Sequence, residues 1–184
     1  MKKMFKTAFG ILALLLVMVN LTAWFSQDRM LGTTYASQCL AANRLRGPRV
    51  GRPSEHGHYP RLARCQRVRV VAVKRENRLY VISRHRVVYI VNARVNLVPM
   101  TARLNGARGT VIFNRNDRVR QAGINWLSLS QAGTFIESPV YVNNHRVRGN
   151  WLHTRYHCTN TIDVSKPDAH WLQGLPQATQ LVIK

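Results

Sequence analysis

The chain opens on an unbroken apolar stretch. No charged residue occurs between Thr7 and Phe25, and Ile11, Leu12, Leu14, Leu15, Leu16, Val17, Met18 and Val19 crowd its centre. Apolar residues fall on every side of a helix built from this run, so it does not read as an amphipathic core helix. A helix needs about 20 apolar residues to cross the hydrocarbon core of a bilayer, and residues 7–25 match that length. Lys2, Lys3 and Lys6, in a basic tail over residues 1–6, are expected to stay cytoplasmic, with Trp24 and Phe25 at the outer interface. The alternative is a cleaved signal peptide with its site at Thr34-Tyr35-Ala36, but an uncleaved anchor fits the apolar length better. Either version puts the rest of the chain on the outer, cell-wall side of the cytoplasmic membrane.

Past the anchor the apolar pattern stops, then resumes with a period of two. Residues 26–60 are expected to be a basic linker. From Gln38 to Pro60 there is no apolar period, and Arg44-Leu-Arg-Gly-Pro-Arg-Val-Gly-Arg-Pro reads as a linker or wrapping arm. Short β-branched and aromatic runs follow at Val68–Val73, Arg78–Ile82 and Val87–Val91, separated by polar turns at Lys74–Asn77 and Ser83–Arg86. This is the signature of a strand meander. Asn105-Gly106 and Gly109 predict another turn before Thr110–Phe113. Trp126–Ser130, Thr134–Ile136 and Val140–Val142 read as further strands, with Asn143-Asn144 as a turn.

The C-terminal segment switches to helical signals. Ser165 is placed as N-cap, Pro167 in the first turn and Asp168 at the positive end of the helix dipole, and the helix is expected to stop at Gly174. Leu181–Ile183 predicts a closing strand. A chain of 184 residues leaves room for one domain after the anchor, over residues 61–184.

Charge narrows the partners. Lys and Arg number 28 against 7 Asp and Glu, a net charge of +21, which favours polyanions through counterion release. An exported protein meets anionic wall polymers and lipid headgroups first. Nucleic acid is disfavoured, because aromatic residues are not interleaved with the arginines in a stacking pattern. Cys39, Cys65 and Cys158 have no metal-ligand spacing, so neither a metal nor a cofactor is expected. Cys39 and Cys65 could pair in an oxidising compartment, which would leave Cys158 as a reactive thiol.

The order of these pieces resembles the L,D-transpeptidases, the cysteine enzymes that cross-link bacterial peptidoglycan. His58-Tyr-Pro-Arg-Leu62 is similar to the segment leading into that family's domain, and the paired runs at Arg78–Ile82 and Val87–Ile90 resemble its opening hairpin. Ala107-Arg-Gly-Thr-Val-Ile112 stands where a T-P-x-G-T-F motif belongs, and Trp126–Val147 where the family has a strand ending in histidine and its loop. Ile162-Asp-Val-Ser-Lys-Pro-Asp-Ala-His-Trp-Leu172 is similar to the segment directly after the catalytic cysteine, and Gly174–Ile183 to the closing turn and strand. The resemblance implies a mainly β fold, an L,D-transpeptidase-like sandwich or barrel with a short C-terminal helix, preceded by the N-terminal transmembrane helix. It also implies peptidoglycan stem peptides as partners.

The family's catalytic signature is S/T-H-G-C-x-R/N. Its thiolate is the nucleophile, and the histidine takes the thiol proton. Counted back from Ile162 without gaps, the signature falls on residues 158–163. Thr161 then takes the cysteine's place, Thr159 the histidine's, Asn160 the glycine's and Asp163 the arginine's, while Glu137 takes that of the upstream histidine. A shifted register reads Tyr156-His-Cys-Thr-Asn160 as the motif without its glycine. Cys158 is then the nucleophile, His157 and His153 its histidine partners and Asn160 the terminal polar, substrate-binding residue. The gapless register predicts a degenerate domain that binds peptidoglycan. The shifted one predicts an active transpeptidase forming an acyl-enzyme on Cys158. A basic surface protein that binds polyanions is the remaining alternative. Whether the chain is an enzyme turns on which register holds.

Overall fold

The structure is a computed structural model that describes residues 2–25, 27–28, 31–115, 119–153 and 157–184. Helix α1 spans Lys2–Phe25. Its side chains from Phe9 to Leu21 stand exposed on all sides, Phe9 by 71 % and Leu14 by 67 %. Asn20 and Thr22 turn their polar groups back onto the helix, donating to the carbonyls of Leu16 (2.7 Å) and Val19 (2.9 Å). Among the described residues no helix is long and apolar enough to cross a membrane, so the transmembrane helix expected over residues 7–25 finds no support in the fold. The side chains of Lys2, Lys3, Lys6, Trp24 and Phe25 lie outside the described residues.

The β domain is a sheet closed on itself. Its strands are β3 (Val68–Val73), β4 (Arg78–Ser83), β5 (Arg86–Val95), β6 (Met100–Arg115), β7 (Arg120–Leu129), β8 (Phe135–Val142), β9 (His145–Arg146), β10 (Thr161–Val164) and β11 (Gln180–Ile183). They follow the order β10-β5-β4-β3-β11-β6-β7-β8-β9, and a further pairing of β10 with β8 closes the barrel. Most neighbours are antiparallel. β11 runs parallel to β3, and β10 runs parallel to β8. The barrel interior holds Val70, Leu79, Val81, Val91, Leu127, Leu129, Ile136, Ile162, Leu172 and Leu181, all nearly inaccessible to solvent. Alternation along β3 and β4 sends the other face, Val71, Val73, Tyr80 and Ile82, against Leu31 and Ala41 of the N-terminal segment.

Local chemistry explains the joints. Asn77, Asn143 and Asn144 adopt positive φ (52°, 48° and 65°) at the turns that their side chains tolerate. Helix α3 spans Lys166–Leu172, with Ser165 as N-cap accepting from the Asp168 amide. The turn expected at Asn105-Gly106 does not interrupt the sheet. Those residues form a bulge inside β6, where the register to β7 shifts between Leu104 and Arg108 and Gly106 takes φ 91°. Phe135-Ile136 and Val140–Val142 belong to the single strand β8, and Thr134 lies in the turn before it.

Between Gln38 and Pro60 the chain is an ordered wrap. Short strands β1 (Gln27–Asp28) and β2 (Thr33–Thr34) lead into helix α2 (Tyr35–Ala42), capped by Thr34, which no apolar period foretold. The arm beyond it is pinned by two buried carboxylates. Asp168 accepts from Ser54 Oγ (2.6 Å), Tyr59 (2.8 Å), Tyr89 (3.1 Å) and Ser165 Oγ (2.5 Å). Glu55 pairs with Arg44 (2.7 Å) and accepts from the Ile90 amide (2.6 Å). Burial and the Asp168 charge push both tyrosine hydroxyls well above the usual phenol range. Among the described residues no disulfide forms, and Cys39 and Cys65 remain separate thiols.

Candidate functional site

The parallel pairing of β8 with β10 brings the gapless signature together. Its register sets Thr161 opposite Phe135, Ile162 opposite Ile136 and Asp163 opposite Glu137. Glu137 and Asp163, the residues that the gapless register sets at the upstream histidine and the motif arginine, therefore project from one face of neighbouring strands. Both are buried, Glu137 at 0 % exposure and Asp163 at 2 %.

Amide side chains join them. Gln121 Nε2 on β7 donates to Glu137 Oε1 (2.7 Å) and to Asp163 Oδ1 (2.9 Å). Asn114 at the end of β6 donates to the other Glu137 oxygen. Asn96 donates to Asp163 Oδ2 (3.1 Å) and to Thr161 Oγ1 (3.3 Å). Gly123 makes room for the carboxyl, since a Cβ there would stand 2.6 Å from the Glu137 carboxyl carbon. Burial pushes the Glu137 carboxyl up to about 8, and the neighbouring Asp163 charge adds to it, against the pull of the Gln121 and Asn114 donors. Burial likewise raises Asp163 to about 6, opposed by the Thr161, Gln121 and Asn96 hydrogen bonds and the Arg94 charge. Burial thus favours the protonated form of Glu137.

The residues of the shifted register lie around this cluster. Cys158 is fully buried in a satellite core with Val119, Val142, Val147 and Trp151. Its amide donates to Gln121 Oε1 (3.2 Å), and its Sγ faces the Val119 carbonyl at 3.9 Å. Thr161 Oγ1 donates to the Cys158 carbonyl at 3.2 Å. The half-buried His157 turns Nδ1 toward the Arg94 guanidinium (3.5 Å), and burial together with the Arg94 and Lys74 charges pushes its pKa down. His153 is exposed at the end of the short turn Trp151–His153. Asn160 donates to the Gly133 carbonyl in the loop before β8. Tyr156 lies outside the described residues.

Above the carboxyl cluster is a groove of about 640 Å³ lined by Phe113, Asn114, Arg120, Gln121, Tyr141 and Asn144. The buried Asn114 and Gln121 line it and donate to Glu137, which does not reach the groove. Phe113 and Tyr141 stand at its rim, 81 % and 45 % exposed. The groove thus combines apolar walls, amide donors and acceptors, and one cation, the chemistry of a peptide-sized ligand site. Sequence reading places Glu137 and Asp163 at signature positions but misses Gln121 and Asn114. Their one trace is a polar amide within each of two otherwise β-forming runs.

No protein-family model matches the chain, and no curated protein does. Solved structures do. An Enterococcus faecium L,D-transpeptidase, a cysteine-to-serine mutant, matches with a TM-score of 0.52 at 8 % identity over 65 % of this chain and 50 % of its own. An L,D-transpeptidase from Mycobacterium smegmatis matches with a TM-score of 0.50 at 12 % identity, over 64 % of this chain and 58 % of its own. The chain thus spans between half and three fifths of the length of these two proteins. At such identities the likeness concerns the fold alone. The chain has an L,D-transpeptidase-like fold.

Proposed function

We propose that this protein is an exported, wall-associated member of the L,D-transpeptidase-like fold that binds peptidoglycan stem peptides without cross-linking them. One observation carries this reading. At the strand pair β8–β10, Thr161, Asp163 and Glu137, which the gapless register sets at the nucleophile, arginine and upstream-histidine positions, are tied into one buried hydrogen-bonded network. A threonine hydroxyl engaged at both its donor and acceptor sites is a poor nucleophile, and no base of the imidazole type stands beside it within this network. The groove over the network keeps its ligand chemistry. Arg120 suits a stem-peptide carboxylate, the exposed Asn144 amide suits a peptide group, and the aromatic rim suits aliphatic side chains.

The cellular place rests on the N-terminus. Three lysines followed by an apolar run are the pattern of an export segment. The exposed apolar faces of α1, with Asn20 and Thr22 satisfied within the helix, fit seating against lipid. The domain would then lie on the wall side of the cytoplasmic membrane. Protease treatment of spheroplasts tests this: a domain protected until lysis argues against export.

The absence of acyl transfer is tested with a carbapenem. After incubation, the intact mass of the protein is expected to be unchanged, while the full chain still sediments with purified sacculi. A covalent adduct on Cys158 would replace this reading by the active one. Loss of sedimentation without an adduct would remove stem-peptide binding.

A further inference from the structure

Among the described residues two ion pairs form, Arg44–Glu55 and Arg75–Glu76. In a chain of net charge +21, most of the described arginines therefore have no ion-pair partner among the described residues. Their distribution is not even. Arg64, Arg84 and Arg86 line a concave surface of about 760 Å³ between the turn Leu62–Arg64 and the β4–β5 hairpin. Arg46, Arg49 and Arg52 line a second one, of about 660 Å³. His56 lines both, so the two surfaces adjoin at that residue. They are separate from the groove above Glu137.

Both ends are held in shape. Arg84 sits at positive φ (54°) in the hairpin turn, its amide donates to the Gln66 carbonyl (3.2 Å), and its guanidinium donates to Gln66 Oε1. The loop with the second arginine group is tied by Arg46 N–H to the Ser54 carbonyl (2.7 Å), Arg52 N–H to the Arg49 carbonyl (3.1 Å) and His56 N–H to the Arg44 carbonyl (2.8 Å). Glu55, the carboxylate in the first cavity's wall, is occupied by Arg44 and the Ile90 amide. Arg46 Nε is buried and has no hydrogen-bond partner among the described residues. A buried charged N–H in that state favours any acceptor that can reach it.

We propose that the two cavities form one binding track for a phosphodiester polymer that carries no bases, gripped by Arg64, Arg84 and Arg86 at one end and by Arg46, Arg49 and Arg52 at the other. Guanidinium forks match pairs of phosphate oxygens, and their preset backbone lowers the ordering cost of binding. Two adjoining groups suit a ligand whose charge repeats along a chain. Neither cavity includes a Phe, Tyr or Trp ring, so the stacking that single-stranded nucleic acid needs is missing. The inference does not rest on the stem-peptide reading, because no residue of the track lines the groove.

The test uses the full chain in non-ionic detergent with poly(glycerol phosphate) as the probe. Two triple variants, Arg64/Arg84/Arg86→Gln and Arg46/Arg49/Arg52→Gln, are compared with a control of equal charge change, Arg103/Arg146/Arg148→Gln. At an ionic strength of about 0.15 M, each track triple is expected to weaken binding about tenfold or more and the control about twofold or less. Lysine at the same positions should restore only part of the affinity, because an ammonium lacks the fork. Circular dichroism melts confirm that each variant folds. A control that loses as much as the track variants would show that net charge alone binds the polymer and would overturn the site. Tighter binding of single-stranded DNA of equal charge would overturn the assignment of a base-free ligand. Phosphatidylglycerol vesicles, read against neutral vesicles, distinguish a lipid headgroup source: retention that the track triples abolish, with no binding of the free polymer, would overturn the polymer.

Discussion

Glu137 and Asp163 stand opposite each other on parallel strands, and a single amide nitrogen, Gln121 Nε2, donates to both carboxyls at 2.7 and 2.9 Å. Two acids bridged by one donor in a buried site repel each other when both are ionised. The arrangement is most comfortable with one proton on the pair, and burial assigns that proton chiefly to Glu137.

Stability should accordingly fall as pH rises. The folded-state pKa of Glu137 is raised from its ordinary 4.5 to about 8, and that of Asp163 from 3.8 to about 6. The native state then binds more protons than the unfolded one between those limits, so unfolding becomes easier with each step of pH. The loss begins above the ordinary carboxyl values, is largely complete for Asp163 near pH 6 and continues for Glu137 to about pH 8. Thermal melts from pH 5 to pH 9 check this. The pH dependence of Glu137→Gln should be flatter than that of the parent, most clearly between pH 6 and 8. Parallel curves would remove Glu137 as the titrating group.

Gly123 is the space in which the Glu137 carboxyl sits. Gly123→Ala would force a Cβ to within 2.6 Å of the carboxyl carbon, and is expected to destabilise the fold by about 1–3 kcal/mol, as overpacked cores do. The double variant Gly123→Ala/Glu137→Ala should recover part of that loss in urea titrations, because the methyl then enters the vacated volume. Additive losses would mean that the clash lies elsewhere.

Much of the barrel is readable from local sequence because its strands are specified locally. Val68–Val73 and Val87–Val91 are β-branched runs, Asn77 and Asn143 supply the turns, and Ser165, Pro167 and Asp168 begin α3 by capping alone. Local chemistry fails where long-range pairing overrides it. Asn105-Gly106 has turn composition, yet β6 is paired by β7 along its length and by β11 near its start, so the glycine is accommodated as a bulge. The site is less legible still. Signature spacing offers two registers, one naming Glu137 and Asp163 and one naming the adjacent His157-Cys158, whereas the polar network draws Asn114, Gln121, Glu137 and Asp163 from four strands. The β6–β7 and β7–β8 pairings bring Asn114, Gln121 and Glu137 together, and the parallel β8–β10 pairing adds Asp163.

Cys158 offers a direct chemical check on that difference. It is fully buried, while Cys39 and Cys65 are half-exposed. A thiol reagent should modify Cys39 and Cys65 in the native protein and reach Cys158 only after denaturant is added. Peptide mapping after timed alkylation reads this out. Native labelling of Cys158 faster than the other two would mark an accessible, activated thiol and favour acyl transfer.

Asp168 ties the arm to the barrel and should therefore control the arm's order. Its two oxygens gather Ser54, Tyr59, Tyr89 and Ser165, groups separated by more than a hundred residues of chain. Asp168→Ala leaves those buried hydroxyls without their acceptor and is expected to cost about 3 kcal/mol or more. Asp168→Asn keeps the shape and part of the bonding, and should cost less. Because Ser54 and Tyr59 lose their anchor, trypsin should cut after Arg49 faster in the alanine variant than global unfolding explains. That selective cleavage separates a role for Asp168 in holding the arm from a general loss of stability. Cleavage spread evenly over the chain would leave it as a core residue with no particular hold on the arm.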